Sequence, residues 1–289
     1  MGGELLHATA LIFDLDETLV ADQEATRRAL IAAARAGNAR FSLTSAPPEA
    51  LADALWDAAA RLWSAGPQAA YVEAIGMASW EGLWARFSRD EPPIPALRAW
   101  APEYRWSAWR AALTAQGVAT DALDDALLDG LQAAFASERR ALHLPFPDAL
   151  PALSRLRGGY RLALLTNGDA ELQREKVAGA NLGDYFDTVV ASGDLGQGKP
   201  DPRIYAHTLA ALGAGADETI MIGDSLRNDV WGAQRAGMRA VWLRRDAHEG
   251  EHEGRDTARD ADVCPDATIR SLAELDDALS SGSPPDRVP

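Results

Sequence analysis

Apolar residues, broken by Thr9 alone, run from Ala8 to Phe13 and then stop at a pair of carboxylates, Asp14 and Asp16. A short, continuous apolar run predicts a strand buried on both faces. After Val20 the spacing of apolar positions changes to a helical one and stays so for about a hundred residues. It predicts amphipathic helices over Asp22 to Ala36, Pro48 to Ser64, Gln68 to Phe87, Tyr104 to Ala115 and Asp121 to Arg140. The expected breaks fall at Gly37, Gly66, the Pro92-Pro93-Ile94-Pro95 cluster and Gly117.

From Tyr160 the pattern alternates. Strands are expected over Leu162 to Leu165, Thr188 to Ala191, Thr219 to Ile222 and Ala240 to Leu243, with helices over Ala170 to Ala178, Pro202 to Leu212 and Leu226 to Ala236 between them. Alternation of this kind predicts right-handed crossovers and a Rossmann-like parallel α/β sheet with helices on both faces. The expected organisation is a core made of residues 1–20 and 144–289, interrupted by an all-helical domain over residues 21–143. Ser271 to Leu279 reads as a closing helix, Asp246 to Asp262 as a charged surface loop and Ser280 to Pro289 as a tail. His248 and His252 in that loop are flanked by Glu249, Glu251 and Glu253, a pattern that solvated charge explains as well as metal binding does.

Composition narrows the partners. The chain has 289 residues, 47% apolar and 25% charged, a globular profile, and its formal charge is −15. Such acidity argues against nucleic acid or an anionic membrane as partner, because both are bound by neutralising phosphates with Lys and Arg. No apolar stretch is long enough for a membrane span and residues 1–10 lack a secretory pattern, so a cytoplasmic location is expected. The single cysteine, Cys264, excludes an intrachain disulfide.

Four short motifs carry the chemistry: Asp14-Leu15-Asp16-Glu17-Thr18, Leu165-Thr166-Asn167-Gly168, Gly198-Lys199-Pro200, and Gly223-Asp224-Ser225 with Asp229 following. Each sits at a predicted strand end or in the loop after it. In an open parallel sheet those ends share one edge, where ligands bind, so Asp14, Thr166 and Asp224 are expected to converge. Residues i and i+2 of a strand point the same way, which puts Asp14 and Asp16 on one side. A calcium loop does not fit, because its sixth position is Leu19 rather than glycine. Carboxylates joined by one lysine suit phosphoryl transfer, in which a divalent metal and a lysine offset the charge of the substrate.

These motifs, in this order, resemble the haloacid dehalogenase-like hydrolase superfamily, and the helical insertion after the first motif resembles its subgroup with an inserted helical cap. Leu164 to Lys176 and Gly198 to Tyr205 are similar to phosphatases of the N-acylneuraminate 9-phosphatase and pyrimidine nucleotidase kind. The resemblance implies an Mg²⁺-dependent phosphatase acting on a small phosphorylated metabolite. It implies Asp14 as nucleophile and Asp16 as acid and then base. Asp14, Asp224 and the Asp16 carbonyl would hold the metal. Thr166 with the N–H groups of Asn167 and Gly168 would cradle the phosphate, Lys199 would offset its charge, and Asp229 would orient Lys199 or a metal-bound water rather than bind the metal itself. The family's common glycine after the second aspartate is Glu17 here, a departure that leaves the carboxylates in place.

Three other functions share the fold: a 2-haloacid dehalogenase, disfavoured by Asp16 because halide leaves without a proton; a phosphomutase; and a non-enzymatic binding protein. The sequence leaves substrate and oligomeric state open. Seven of the nine tryptophans, Trp56, Trp63, Trp80, Trp84, Trp100, Trp106 and Trp109, lie in the insertion. Spacings such as Trp80 with Trp84 and Trp106 with Trp109 predict packing between helices rather than a stacking platform.

Overall fold

The computed structural model describes residues 8–41, 47–245 and 263–281. The expected charged loop with His248 and His252, and residues 282–289 of the expected tail, lie outside the described residues. The chain divides into two compact units, one of residues 1–21, 145–167 and 180–289, the other of residues 22–144 and 168–179.

The first unit is built on a sheet. Among the described residues its strands are β1 (Ala10–Phe13), β2 (Arg161–Thr166), β3 (Thr188–Ala191), β4 (Thr219–Gly223), β5 (Arg239–Leu243) and β6 (Ala267–Ile269), in the order β3-β2-β1-β4-β5-β6. Every pairing is parallel. Ala10 to Phe13 are fully buried, as a strand covered on both faces requires. The central strand β1 pairs with β2 so that Phe13 faces Leu164, and with β4 so that Phe13 faces Ile222. The order in which strands are added reverses beside β1, the place where an open α/β sheet leaves a crevice at its carboxyl edge. The short helix α9 (Ser192–Leu195) follows β3. Ile204 and Tyr205 of α10 (Pro202–Leu212) pack on Ile12, Leu165 and Met221, together with Val230 and Ala233 of the helix that follows β4.

That last helix opens with a wide π-type turn, Leu226–Trp231, before α11 (Gly232–Arg235). Three further elements depart from expectation. The helix α7 (Ala149–Leu156), with Pro151 inside it, and the three-residue edge strand β6 were not anticipated. The closing helix is a 3-10 turn, Leu272–Glu274, running into α12 (Leu275–Ser281), so Ser280 is helical rather than tail.

The second unit is helical: α1 (Asp22–Phe41), α2 (Pro48–Ser64), α3 (Ala69–Ala74), α4 (Ser79–Gly82), α5 (Ile94–Ala115), α6 (Asp125–Ala141) and α8 (Ala170–Gly179). Gly37 does not end α1, which continues to Phe41. The single helix expected over Gln68 to Phe87 is two short ones, separated where Gly76 turns the chain with φ 65°. The proline cluster opens α5 rather than separating it from something else, because a proline in a first helical turn forfeits no hydrogen bond. Asp124 caps α6, its carboxylate accepting from the Leu127 N–H at 2.8 Å. Trp84 and Trp109 are buried in this unit's core with Tyr104 and Phe135, while Trp56 and Trp80 stack at 4.5 Å and are only half-buried.

The crossover helix α8 belongs with the helical unit by its contacts, although its place between β2 and β3 predicts it for the sheet unit. Leu172 packs in the helical unit's core, and Gln173 and Lys176 bond to residues there.

Candidate active site

The loop after β1 folds back on itself: the Leu19 and Val20 N–H groups both donate to the Leu15 carbonyl, at 2.8 and 3.0 Å, and Glu17 N–H donates to Val20 O at 2.7 Å. The turn demands φ 60° at Glu17, a backbone shape that favours glycine. The family's glycine at this position thus has a steric reason, and Glu17 occupies the same conformation at some cost. Asp14 continues the line of β1, its N–H donating to Ile222 O of β4 at 2.9 Å. Its carboxylate is nearly buried, and Asp16, two residues on, is half-buried.

Lys199 is the hub of the site. Its side chain is 3% exposed, and the ammonium donates to Asp14 Oδ1 at 2.6 Å and to Asp229 Oδ1 at 2.7 Å. Burial alone would lower its pKa, but Asp14 and Asp229 outweigh that and hold it above the ordinary lysine value. The Lys199 backbone is fastened by Asn167, whose Nδ2 donates to Lys199 O at 2.9 Å and whose Oδ1 accepts from Lys199 N–H at 2.8 Å. This side-chain clamp is a role the motif did not disclose, since the two residues stand in loops after different strands.

Asp229 commits both its oxygens, Oδ1 to Lys199 and Oδ2 to the Ser225 N–H at 2.9 Å. A Cβ on Gly223 would stand 2.3 Å from Asp229 Cγ, so any larger residue there would displace Asp229. Burial pushes the Asp229 pKa up to about 6, Asp14 adds to the rise, and Lys199 opposes it.

Asp224 completes the group. Thr18 Oγ1 donates to its Oδ1 at 3.2 Å, and Trp242 Nε1 of β5 donates to its carbonyl at 2.8 Å. Thr18 lies in the first motif, whereas nothing in the sequence pointed to Trp242. Burial, and then the negative neighbours Asp14, Asp229 and Glu17, push the Asp224 carboxyl well above its usual range.

Carboxylate oxygens of Asp14, Asp224 and Asp229 lie within 4.8 Å of one another. Among the described residues three carboxylates stand against the ammonium of Lys199, an excess of acidic groups that suits a hard divalent cation with oxygen ligands. With Asp229 occupied by Lys199 and Ser225, Asp14 and Asp224 are the side chains best placed to hold it.

Thr166 ends β2 and is buried. The Gly168 N–H, expected to face a phosphate, instead donates to the Ile75 carbonyl at 3.0 Å, as a buried amide must find a partner. Of the groups expected to hold a phosphate, the Gly168 N–H is thus already engaged.

The sequence signature of the haloacid dehalogenase-like hydrolases matches residues 8–237. The chain belongs to this family. A phosphoserine phosphatase of Thermus thermophilus is 40% identical over 92% of this chain and 96% of its own length. A pyrimidine 5'-nucleotidase of Escherichia coli is 32% identical over 52% of this chain and 63% of its own. The N-acylneuraminate-9-phosphatase of mouse is 40% identical over 36% of this chain and 43% of its own. Among solved structures, a 2-haloacid dehalogenase of Pseudomonas syringae superposes with a TM-score of 0.55 at 27% identity, over 96% of this chain and all of that one. A phosphatase of the family from Thermococcus onnurineus gives 0.52 at 25% identity over the same 96% of this chain and its own full length. This family member is a phosphatase.

Proposed function

We propose that the enzyme hydrolyses a small phosphate monoester in the cytoplasm through an aspartyl-phosphate on Asp14, with Mg²⁺ bound. The observation that carries this reading is Lys199 held between Asp14 and Asp229, beside Asp224, at the carboxyl edge of the sheet. Phosphoserine is the first substrate to test, because the Thermus thermophilus relative bears that name. The formal charge of −15 speaks against nucleic acid as substrate.

In the first half-reaction an Asp14 oxygen attacks phosphorus in line, the bond from phosphorus to the leaving oxygen breaks, and Asp16 supplies that oxygen with a proton. In the second, water attacks phosphorus, gives its proton to Asp16, and the Asp14–phosphate bond breaks to release inorganic phosphate. Thr166 and the Asn167 N–H would hold the equatorial oxygens, and Lys199 would offset their charge. A divalent cation held by Asp14, Asp224 and the Asp16 carbonyl would neutralise negative charge on the phosphoryl group.

A panel of phosphorylated metabolites including phosphoserine, assayed with Mg²⁺ for phosphate release, tests the reading. Chelation by EDTA should abolish release and added Mg²⁺ restore it. Asp224→Ala should weaken Mg²⁺ binding measured by calorimetry. Phosphate release that survives EDTA would overturn the metal assignment, and chloride release from 2-chloropropionate with no phosphatase activity would favour the dehalogenase.

Lys199→Ala should lower kcat by a factor on the order of 10² or more, the usual consequence of losing one preorganised transition-state donor. It should also destabilise the fold, since removing one partner of a buried ion pair costs about 3 to 5 kcal/mol. A folded variant with near wild-type kcat would show that Lys199 serves the fold alone.

A further inference from the structure

Away from the reacting groups, a second buried charge network occupies the helical unit. Asp22 at the start of α1, Glu81 in α4, Arg139 in α6, and Gln173 and Lys176 in α8 are each no more than 2% exposed. Lys176 Nζ donates to Glu81 Oε1 at 2.7 Å and pairs with Asp22 Oδ1 at 2.9 Å. Gln173 Nε2 donates to the same Glu81 oxygen at 2.6 Å, and Glu81 Oε2 accepts from Ala78 N–H at 2.9 Å. Asp22 also accepts from Trp80 Nε1 at 2.9 Å and pairs with Arg139. Arg139 reaches Thr26 Oγ1 at 3.0 Å and the Leu142 carbonyl at 2.9 Å.

Two carboxylates and two cations balance, so the network is electrically neutral. Buried pairs of this sort seldom stabilise a fold more than apolar side chains of the same size would. The element they tie down here is α8. Gln173 and Lys176 stand three residues apart, on one face of the helix, and both bond Glu81.

The turn ahead of α8 is held by the same unit. Gly168 has φ 132°, and a Cβ on it would lie 2.3 Å from Gln173 Nε2. Its N–H donates to Ile75 O at 3.0 Å. One planar peptide joins Gly168 to Asn167, so the partner of the Gly168 N–H also sets the direction of the Asn167 carbonyl.

We propose that Lys176, Glu81 and Gln173 are positioning residues for phosphate capture: by locking α8 within the helical unit they set the peptide between Asn167 and Gly168 on which the phosphate turn rests. The proposal rests on the phosphatase reading.

The test is the binding of inorganic phosphate to the whole Mg²⁺-loaded enzyme, measured by calorimetry and by competitive inhibition. In Lys176→Met the Kd for phosphate should rise about tenfold or more, because small displacements of a binding group carry large penalties. The affinity for Mg²⁺ alone should stay at the wild-type value, since its carboxylates belong to the sheet unit. Lys176→Arg, which keeps the charge, should recover most of the loss, and Gln173→Met, which leaves no bare charge behind, should shift the Kd in the same direction by several-fold. Folded Lys176→Met and Gln173→Met that bind phosphate as the wild type does would overturn the proposal, whatever their melting temperatures. If Lys176→Met does not fold, Gln173→Met decides alone by the same criterion. Wild-type enzyme that fails to bind phosphate would overturn the phosphatase reading and this proposal with it, a result distinct from a variant that merely matches wild type.

Discussion

Asp14→Asn is expected to lose turnover by a factor on the order of 10⁴ or more, the scale seen when a catalytic nucleophile is removed. The substitution keeps the size and shape of the side chain and removes only the attacking charge. Lys199 retains its bond to Asp229 at 2.7 Å, so the surroundings stay assembled and the loss is chemical rather than structural. No acid-stable phospho-enzyme should appear when the variant is mixed with substrate, quenched and weighed by mass spectrometry. Turnover comparable to wild type, with deamidation back to Asp excluded by the same spectrum, would place the nucleophile elsewhere.

Asp16→Ala should separate the two aspartates. Alkyl leaving groups need a proton and p-nitrophenolate does not, so formation of the aspartyl-phosphate should slow by a factor on the order of 10² to 10⁴ with alkyl phosphates and far less with p-nitrophenyl phosphate. The second half-reaction needs a base at the same position whatever group has left. With the aryl substrate the variant should release a burst of p-nitrophenolate and then accumulate phosphate on Asp14. Equal slowing with both substrates and no trapped intermediate would reduce Asp16 to a ligand or a structural support.

The parts of this site that were legible in the sequence are those that end apolar runs. A parallel sheet aligns its carboxyl ends, and the register places Asp14 one residue beyond the Phe13–Leu164 and Phe13–Ile222 pairs, beside the ends of β2 and β4. Sequence distance is then irrelevant, which is why residues as far apart as Asp14 and Asp224 could be read together. The clamp from Asn167 to Lys199 was not legible, because it depends on how two loops meet after strands that pair only in space. Trp242 gave no signal for a similar reason: its indole reaches a backbone carbonyl, a partner that every residue has.

In the helical unit the errors follow from what periodicity measures. Val72, Ile75, Leu83, Trp84 and Phe87 keep an apolar rhythm across Gly76, so two helices and the turn between them read as one. An amphipathic pattern places charged residues on a helix's outer face, and that rule fails for Asp22, Glu81, Arg139 and Lys176, whose mutual pairing allows burial. Pairing across such sequence distances leaves no local trace.

The ion pair between Asp22 and Arg139 joins the beginning of the inserted helical stretch to a point near its end. That has a bearing on how the chain folds. Strand β1 has no neighbour nearby in sequence, since Ala10 pairs with Arg161 on one side and Thr219 on the other. A flexible connection of such length would make the search for those partners slow. An insertion that gathers its own two ends replaces that long tether with a short one, so early compaction of α1 against α6 would hasten assembly of a sheet to which neither helix contributes a strand.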